Sequence, residues 1–304
     1  MQLKKSIIQV LKHKFFISTL LISASIYLFL QPETNASYKD EPLSYAQYTR
    51  STGVNKYPTI TLTVPKNHLW SDDFLGRLHH EEKTHSLFFN TVANLDQKRY
   101  LVIDAGAHVG DTAVWIAQFA KKAKKNIKVL AVDPDQSKID FINDLAVKNN
   151  LQNHIMTVTA AVSDDFAKVS IVKTQNKKKR KERTLHPGAW KVKETETGQV
   201  DMLPLDHIYH QLQLEEYATA ILHLDVEGYE FKAMQGAISL IVKDQPLCVF
   251  EMLHTPSTTR IREVMKFLGF SSDQRLHEEN ENEVFYKQNK KNHQSSLKLL
   301  GQMA

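Results

Sequence analysis

The sequence contains a single cysteine among its 304 residues, Cys248, which excludes a disulfide bond within the chain. The setting Leu247-Cys248-Val249-Phe250 is apolar and indicates a buried thiol rather than a nucleophile. The sequence also lacks a face of one charge sign. Its net charge of +5 is spread over many stretches, so we expect no nucleic-acid partner. The composition, 42% hydrophobic and 24% charged, is that of a folded globular protein.

An uncharged apolar run covers residues 15–30 and follows several lysines. The run is shorter than the roughly 20 residues of a standard membrane span, but longer than most apolar cores of cleaved signal peptides. We expect residues 1–30 to comprise a cytosolic basic end and a signal anchor; a cleaved signal peptide and a buried helix are the alternatives. The positive-inside rule then places the rest of the chain in the lumen or outside, and cleavage would make it secreted.

The remaining chain divides by composition into three parts. Residues 31–69 are rich in proline and polar residues and are typical of a stem or linker. Residues 70–287 hold alternating apolar strand and helix patterns, and residues 288–304 form a polar, basic tail. The alternation predicts an α/β domain with a mostly parallel, doubly wound sheet that helices cover on both faces.

The predicted elements follow from runs of apolar residues and from helical periodicity. Residues 269–286 could add one or two antiparallel strands at the edge. The predicted strands are 101–104, 128–133, 156–162, 168–172, 220–225 and 247–252, and the predicted helices are 111–123, 135–149, 229–242 and 258–268.

The first predicted strand ends at an acid, Asp104, and two glycines follow it, Gly106 and Gly110. Such a turn lets a ligand approach the backbone amides at the start of the next helix. The third glycine of a dinucleotide fingerprint is missing, which disfavours a nicotinamide-dependent oxidoreductase. A smaller ligand with a carboxylate tail is compatible with the turn.

Two further strand ends carry polar groups. Asp133 ends the second strand at the place where doubly wound folds bind ribose hydroxyls, although it could instead cap the helix that follows Pro134. Ser163 and Asp164 could meet the amino edge of a purine, or could cap an ordinary turn.

The segment Leu222 to Glu230 places Asp225, Glu227 and Gly228 where an apolar strand must end. Acids at this position commonly face a site. His223 lies on the same face of the strand as Asp225, so it also enters the list of candidate bases.

Taken in order, these landmarks resemble the FkbM-type family of S-adenosylmethionine-dependent methyltransferases. The matching motifs lie between about residues 100 and 287. The resemblance implies a class I methyltransferase (Rossmann-like) fold, S-adenosylmethionine as the donor, and O-methylation of a glycan or small-molecule hydroxyl. It implies the following cofactor-binding residues: Asp104, Gly106, His108, Gly110, Asp111, Asp133, Ser163, Asp164 and Asp225.

Two positions depart from the family's pattern, because His108 stands where asparagine is common and His223 where lysine is common. For catalysis we expect Asp225 to remove the acceptor's proton, with Glu227 and His223 as further catalytic residues. The family includes members of unknown activity, so a membrane-tethered, catalytically silent binding module is the alternative function.

A divalent cation at Asp225, Glu251 and His254 is a further alternative, because oxygen ligands of this kind suit Mg²⁺ or Ca²⁺. Ordinary hydrogen bonding accounts for the same residues, and we predict no metal.

Overall fold

The computed structural model describes residues 44–77, 81–173, 190–195, 198–252, 256–276 and 281–300. The strands are β1 (Tyr45–Ser51), β2 (Thr59–Pro65), β3 (Tyr100–Ala105), β4 (Ile127–Asp133), β5 (Ile155–Thr159), β6 (Ala161–Val162), β7 (Ala167–Lys173), β8 (Trp190–Glu194), β9 (Val200–Leu203), β10 (Ala218–Leu224), β11 (Leu247–Glu251), β12 (Ser271–Asp273) and β13 (Asn282–Tyr286). The helices are α1 (Ser71–Gly76), α2 (Glu82–Asn94), α3 (Ala113–Lys122), α4 (Gln136–Lys148), α5 (Leu205–Gln211), α6 (Glu230–Gln235), α7 (Ile238–Asp244), α8 (Pro256–Phe267) and α9 (Lys291–Leu300).

A seven-stranded sheet forms the centre of the described structure, with the strand order β12-β13-β11-β10-β3-β4-β5. Strands β11, β10, β3, β4 and β5 run parallel to one another. Strand β13 is antiparallel to both β11 and β12. The mostly parallel sheet and its antiparallel edge are therefore confirmed.

Alternate residues of the central strands pack into two different hydrophobic clusters. On β3, Leu101 and Ile103 join the cluster formed with α5, α6, α7 and α8, whereas Val102 joins the one formed with α2, α3, α4 and α9. This alternation follows from the period of two in a strand. Helices thus cover both faces of the sheet, and the fold is the class I methyltransferase-like α/β arrangement that was predicted.

The strand predicted over 156–162 is divided between two sheets. Strand β5 ends at Thr159, and the Ala160 N–H donates to the Asp133 carbonyl at 3.1 Å. Strand β6 then pairs with β9 in a four-stranded sheet of order β6-β9-β7-β8. The apolar run continued through this junction, so the pattern could not show where the partner strand changed.

The helix predicted over 229–242 is divided into α6 and α7 at Gly236. A Cβ at Gly236 would lie 1.9 Å from the Ser163 carbonyl oxygen, so the chain passes too close for a side chain. The Asp206 carboxylate then accepts from the N–H groups of Ser239 and Leu240 at 2.9 and 3.0 Å, which satisfies the start of α7.

The folded core extends beyond both predicted ends of the domain. Strands β1 and β2 form an antiparallel hairpin inside the predicted stem, 31–69, and Ile60, Leu62 and Val64 are buried. The Thr/apolar alternation of this stretch is a strand pattern that its prolines obscured. Within the predicted tail, 288–304, helix α9 packs on α2 and buries its Leu297.

Residues 1–43, which hold the predicted signal anchor, lie outside the described residues. Among the helices that the structure does describe, none combines the length and apolarity needed to cross a bilayer.

Candidate active site

The carboxyl ends of four parallel strands lie side by side. The register aligns Leu224 of β10 with Ala105 of β3 and with Phe250 of β11, and aligns Ala105 with Val132 of β4. The Asp225 N–H donates to the Ala105 carbonyl at 3.0 Å, which extends the pairing past the end of β10. The end of the sheet at which these strands finish, called here its carboxyl edge, therefore carries the residues that follow these positions. They are Gly106, Asp133, Asp225 and Glu251.

Both glycines of the first turn are required by close packing. Gly106 has φ +85°, and a Cβ there would lie 1.7 Å from the Asp225 carbonyl oxygen. Gly110 has φ +81°, and its Cβ would lie 2.8 Å from Ile142 Cγ1 on α4. The protein itself fills the space beside these glycines. Their shared effect is to bring the turn against β10 and α4, so that α3 can begin at the edge of the sheet.

Asp104 and His223 form a buried pair across β3 and β10. His223 Nδ1 lies 2.8 Å from Asp104 Oδ1, and both side chains are at most 4% exposed. Burial alone would lower the pKa of His223, but the hydrogen bond and charge of Asp104, with the charges of Glu81 and Asp225, raise it to about 9. Burial raises the pKa of Asp104. At neutral pH the imidazole is protonated and has no lone pair with which to remove a proton.

His108 occupies a left-handed backbone position in the glycine turn, with φ +49°. Histidine and asparagine both tolerate this conformation better than most residues, which explains how His108 can replace the family's asparagine. Its N–H donates to Asp133 Oδ2 at 3.0 Å, and its ring bridges two side chains. Nδ1 lies 2.6 Å from Lys138 Nζ, and Nε2 lies 2.7 Å from Asp73 Oδ2. Because an ammonium can only donate, Nδ1 accepts and Nε2–H donates to Asp73.

Asp133 accepts hydrogen bonds on both oxygens. One oxygen accepts from the His108 N–H, and the other accepts from the Asp135 N–H at 2.8 Å. Burial raises the pKa of Asp133. The residue that caps α4 is Asp135, whose carboxylate accepts from the Ser137 N–H at 2.9 Å. Asp133 thus fixes the glycine turn against the end of β4, and two lone-pair positions remain on its carboxylate.

Four carboxyl groups cluster where β10 and β11 end. Glu230 Oε1 accepts from the N–H groups of Val226 and Gly228, at 3.2 and 2.9 Å, and so closes the turn that carries Asp225 and Glu227. Asp225 and Glu227 are half-buried. Glu227 has φ +54°, a conformation that this turn imposes on it.

Glu251 lies beside Asp225 and holds a proton at neutral pH. Burial, together with the negative charges of Asp225 and Glu230 and a hydrogen bond to Asp225, raises the pKa of Glu251 to about 10. The protonated Glu251 therefore donates this hydrogen bond to the Asp225 carboxylate.

The other predicted cofactor residues occupy two places. Asp111 is buried just before α3, and its charge acts on Asp104. Ser163 lies at the end of β6, where its N–H donates to the Leu203 carbonyl at 3.1 Å and its hydroxyl lies 3.2 Å from Asp164 Oδ1. These hydrogen bonds thus tie Ser163 to Asp164 and to the second sheet rather than to the glycine turn.

Sequence reasoning missed a cation that helix α1 contributes to this edge. Arg77 Nε donates to Asp73 Oδ1 at 3.1 Å, while Asp73 Oδ2 accepts from His108. Burial alone would raise the pKa of Asp73, but His108 and Arg77 lower it to about 2. The spacing of Asp73 and Arg77, four residues apart, was the available sequence signal for an ion pair on one helix face.

The site suits an organic ligand that carries positive charge. Asp225 and Glu227 present half-buried carboxylates, and the turn borders open space, because a Cβ at Gly228 would meet nothing within 4 Å. No group of three or more His, Cys, Asp or Glu side chains within the described ranges could hold a metal ion. His254, which entered the predicted alternative of a divalent cation, lies outside those ranges.

Comparison with known proteins gives one family match. The model of the methyltransferase FkbM domain matches residues 104–272. No curated protein sequence matches the chain significantly.

Solved structures similar to the chain include three methyltransferase proteins. Methyltransferase FkbM from Methylobacillus flagellatus KT is 15% identical, with 71% of this chain and 55% of that chain covered and a TM-score of 0.40. Precorrin-6y C5,15-methyltransferase from Geobacter metallireducens GS-15 is 12% identical, covering 68% and 88%, with a TM-score of 0.37. The N-terminal domain of human METTL16 in complex with SAH is 12% identical, covering 67% and 69%, with a TM-score of 0.34. The chain therefore spans little more than half the length of the Methylobacillus protein.

Proposed function

Because this chain belongs to the FkbM methyltransferase family, we propose that it transfers a methyl group from S-adenosylmethionine to a hydroxyl group of a glycan or small molecule. The observation that carries the proposal is the contact between the glycine turn and the Asp225 turn. Gly106 packs on the Asp225 backbone, and the same edge holds Asp133 on one side and Glu251 on the other. This contact joins the residues expected to bind a donor to those expected to act on an acceptor.

The carboxylates at the edge suit the donor's charges and hydroxyls. S-adenosylmethionine supplies an electrophilic methyl group on a positively charged sulfur. Asp133 would accept from ribose hydroxyls with the lone pairs that the two backbone N–H groups leave over. The negative charges of Asp225 and Glu227 favour a cation beside them.

Asp225 is the residue we assign to proton removal. A hydroxyl oxygen that attacks a methyl group loses its proton, and a carboxylate within hydrogen-bond reach can take it. The hydrogen bond from the protonated Glu251 orients the Asp225 carboxylate, so Glu251 serves as a positioning residue. His223 is already protonated and paired with Asp104, so it contributes by joining the ends of β10 and β3 beneath the two turns.

The decisive experiment measures S-adenosylhomocysteine release from S-adenosylmethionine across pools of glycans and small hydroxyl compounds, with mass spectrometry of the products. We expect a product heavier by one methyl group, and Asp225→Asn should lower turnover about 100-fold or more, far more than it lowers donor affinity. Arg99→Ala is the matched control, because Arg99 is exposed and pairs with Glu216 elsewhere on the chain.

Two results would contradict the proposal. Tight donor binding without product from any pool would favour the catalytically silent binding module. Full turnover by the Asp225→Asn variant would move the base to another residue.

We also propose that the amino-terminal segment anchors the chain in a membrane of the secretory pathway, with residues 40–304 on the lumenal or exterior side. The support is the lysine-rich start followed by the uncharged run 15–30. Protease treatment of intact microsomes should leave residues 40–304 protected, and digestion of this part would reverse the orientation.

A further inference from the structure

Hydrogen bonds connect helix α1 to the glycine turn, and a cation, Arg77, directly follows the last residue of α1. The His108 ring contacts Asp73, with Nε2 2.7 Å from Asp73 Oδ2, and Arg77 Nε lies 3.1 Å from Asp73 Oδ1. The His108 N–H also donates to Asp133. Arg77 is thereby held at a fixed place above the carboxyl ends of the parallel strands.

The guanidinium of Arg77 has donors to spare. Its side chain is 22% exposed, and within the described ranges its two terminal nitrogens make no hydrogen bond. Burial alone would lower the pKa of Arg77, but the charges of Asp111, Asp73 and Asp225 raise it. The guanidinium of Arg77 therefore lies in the field of Asp111 and Asp225.

Arg77 is also the cation at this edge that is best placed to meet an anion. Lys138 donates to His108, and His223 is buried against Asp104. The neighbouring groups are mostly carboxylates, which attract positive centres and repel negative ones. An anionic group that enters this cleft needs a cation to offset that repulsion.

We infer that Arg77 binds the α-carboxylate at the amino-acid end of the methyl donor, an inference that rests on the proposed function. If the ribose lies at Asp133, the amino-acid end lies across Gly106 towards Asp225. Asp133 ends β4 and Asp225 follows β10, and these two strands flank β3, so the two acids are separated by about 10 Å, twice the usual strand spacing. The planar guanidinium can then donate to both oxygens of one carboxylate, an arrangement that lysine cannot reproduce.

The test compares two ligands that differ in the carboxylate. S-adenosylhomocysteine carries it, whereas decarboxylated S-adenosylhomocysteine keeps the amine and the neutral sulfur and lacks only the carboxylate. Isothermal titration calorimetry on the full-length chain should show that Arg77→Ala weakens S-adenosylhomocysteine binding by about 10- to 100-fold, the range expected for a charge-assisted hydrogen-bonded pair. Binding of the decarboxylated ligand should change by about twofold or less, which also shows that the variant's pocket is intact.

Arg77→Lys keeps the charge and should recover part of the lost affinity, while the control Arg99→Ala should bind both ligands as the unaltered chain does. The inference is overturned if Arg77→Ala binds S-adenosylhomocysteine normally, or if both ligands lose affinity equally, because Arg77 then only supports the fold. An increase in the acceptor's KM with unchanged S-adenosylhomocysteine affinity would assign Arg77 to the acceptor and overturn it too. If the unaltered chain fails to bind S-adenosylhomocysteine, the proposed function itself fails.

Discussion

The buried pair of Asp104 and His223 predicts that the protein loses stability as the pH rises above neutrality. The folded state raises the pKa of His223 from 6.5 to about 9. A raised pKa means that between these two values the folded chain holds a proton that the unfolded chain has released. The stabilisation is therefore complete below pH 6.5 and is lost as the pH rises through 9. At about 1.4 kcal/mol for each pH unit, the shift corresponds to about 3 kcal/mol of unfolding free energy.

The assay is urea unfolding followed by tryptophan fluorescence at several pH values between 6 and 10. Glu251 also titrates with a raised pKa and lowers stability in the same direction, so the unaltered chain alone does not isolate the pair. The reference is the double variant Asp104→Asn with His223→Gln, in which two neutral amide side chains replace the pair. The difference in unfolding free energy between the two proteins should fall by about 3 kcal/mol between pH 6 and pH 10.

A second variant separates the charge of the pair from its packing. His223→Lys introduces the residue that is common in the family at this position, and an amine titrates higher than an imidazole. Its stability should hold to a higher pH than that of the unaltered chain. A difference that stays constant within about 0.5 kcal/mol from pH 6 to pH 10 would refute the reasoning, because the pair would then not carry a proton that depends on folding.

Three further changes test the turn and the acid cluster. Gly106→Ala should lower the free energy of unfolding, measured in urea, by about 2 kcal/mol or more, because the backbone has φ +85° and the new methyl group meets the Asp225 carbonyl. Gly76→Ala is the control, because nothing lies within 4 Å of a Cβ there, and equal losses would contradict the packing argument. His108→Asn should keep S-adenosylhomocysteine affinity within about threefold by calorimetry, because asparagine tolerates φ +49° and the backbone N–H to Asp133 remains; abolished binding would show that the ring itself is needed. Glu251→Gln should flatten the fall in melting temperature between pH 6 and pH 9.5. The folded chain keeps Glu251 protonated, and the stability that depends on this proton is lost as the pH rises towards 10. An unchanged slope would assign the proton to another group.

The contacts between α1 and the glycine turn affect how the ligand affinities of variants in this region are interpreted. Asp73 connects Arg77 to His108, and His108 connects that pair to Asp133. Loss of the Asp73 carboxylate, which contacts both Arg77 and His108, can therefore shift the covering helix and the glycine turn together. Comparing ligands with and without the carboxylate separates these two effects, because only direct binding depends on the ligand's own charge.

The sequence by itself determined the alternation of the central strands and helices, the parallel sheet and the acids at its carboxyl edge. These features depend on local apolar runs and on a rule of topology, since parallel strands that a helix connects end on the same side. Asp104, Asp133 and Asp225 could be placed in this way because each follows or ends an apolar run. Gly106 and Gly110 were marked as a turn because no other residue accepts their backbone angles as readily.

The tertiary structure alone decided how these residues pair. His223 meets Asp104 across a separation of 119 residues, and His108 meets Asp73 across 35, and no local pattern encodes either contact. The division of the 229–242 helix at Gly236 likewise depends on the Ser163 carbonyl, which a different sheet brings there. Folding alone brings Arg77 beside Asp111 and Asp225. Burial beside other carboxyl groups keeps Glu251 protonated, because the proton of a side chain responds to the neighbours that folding supplies.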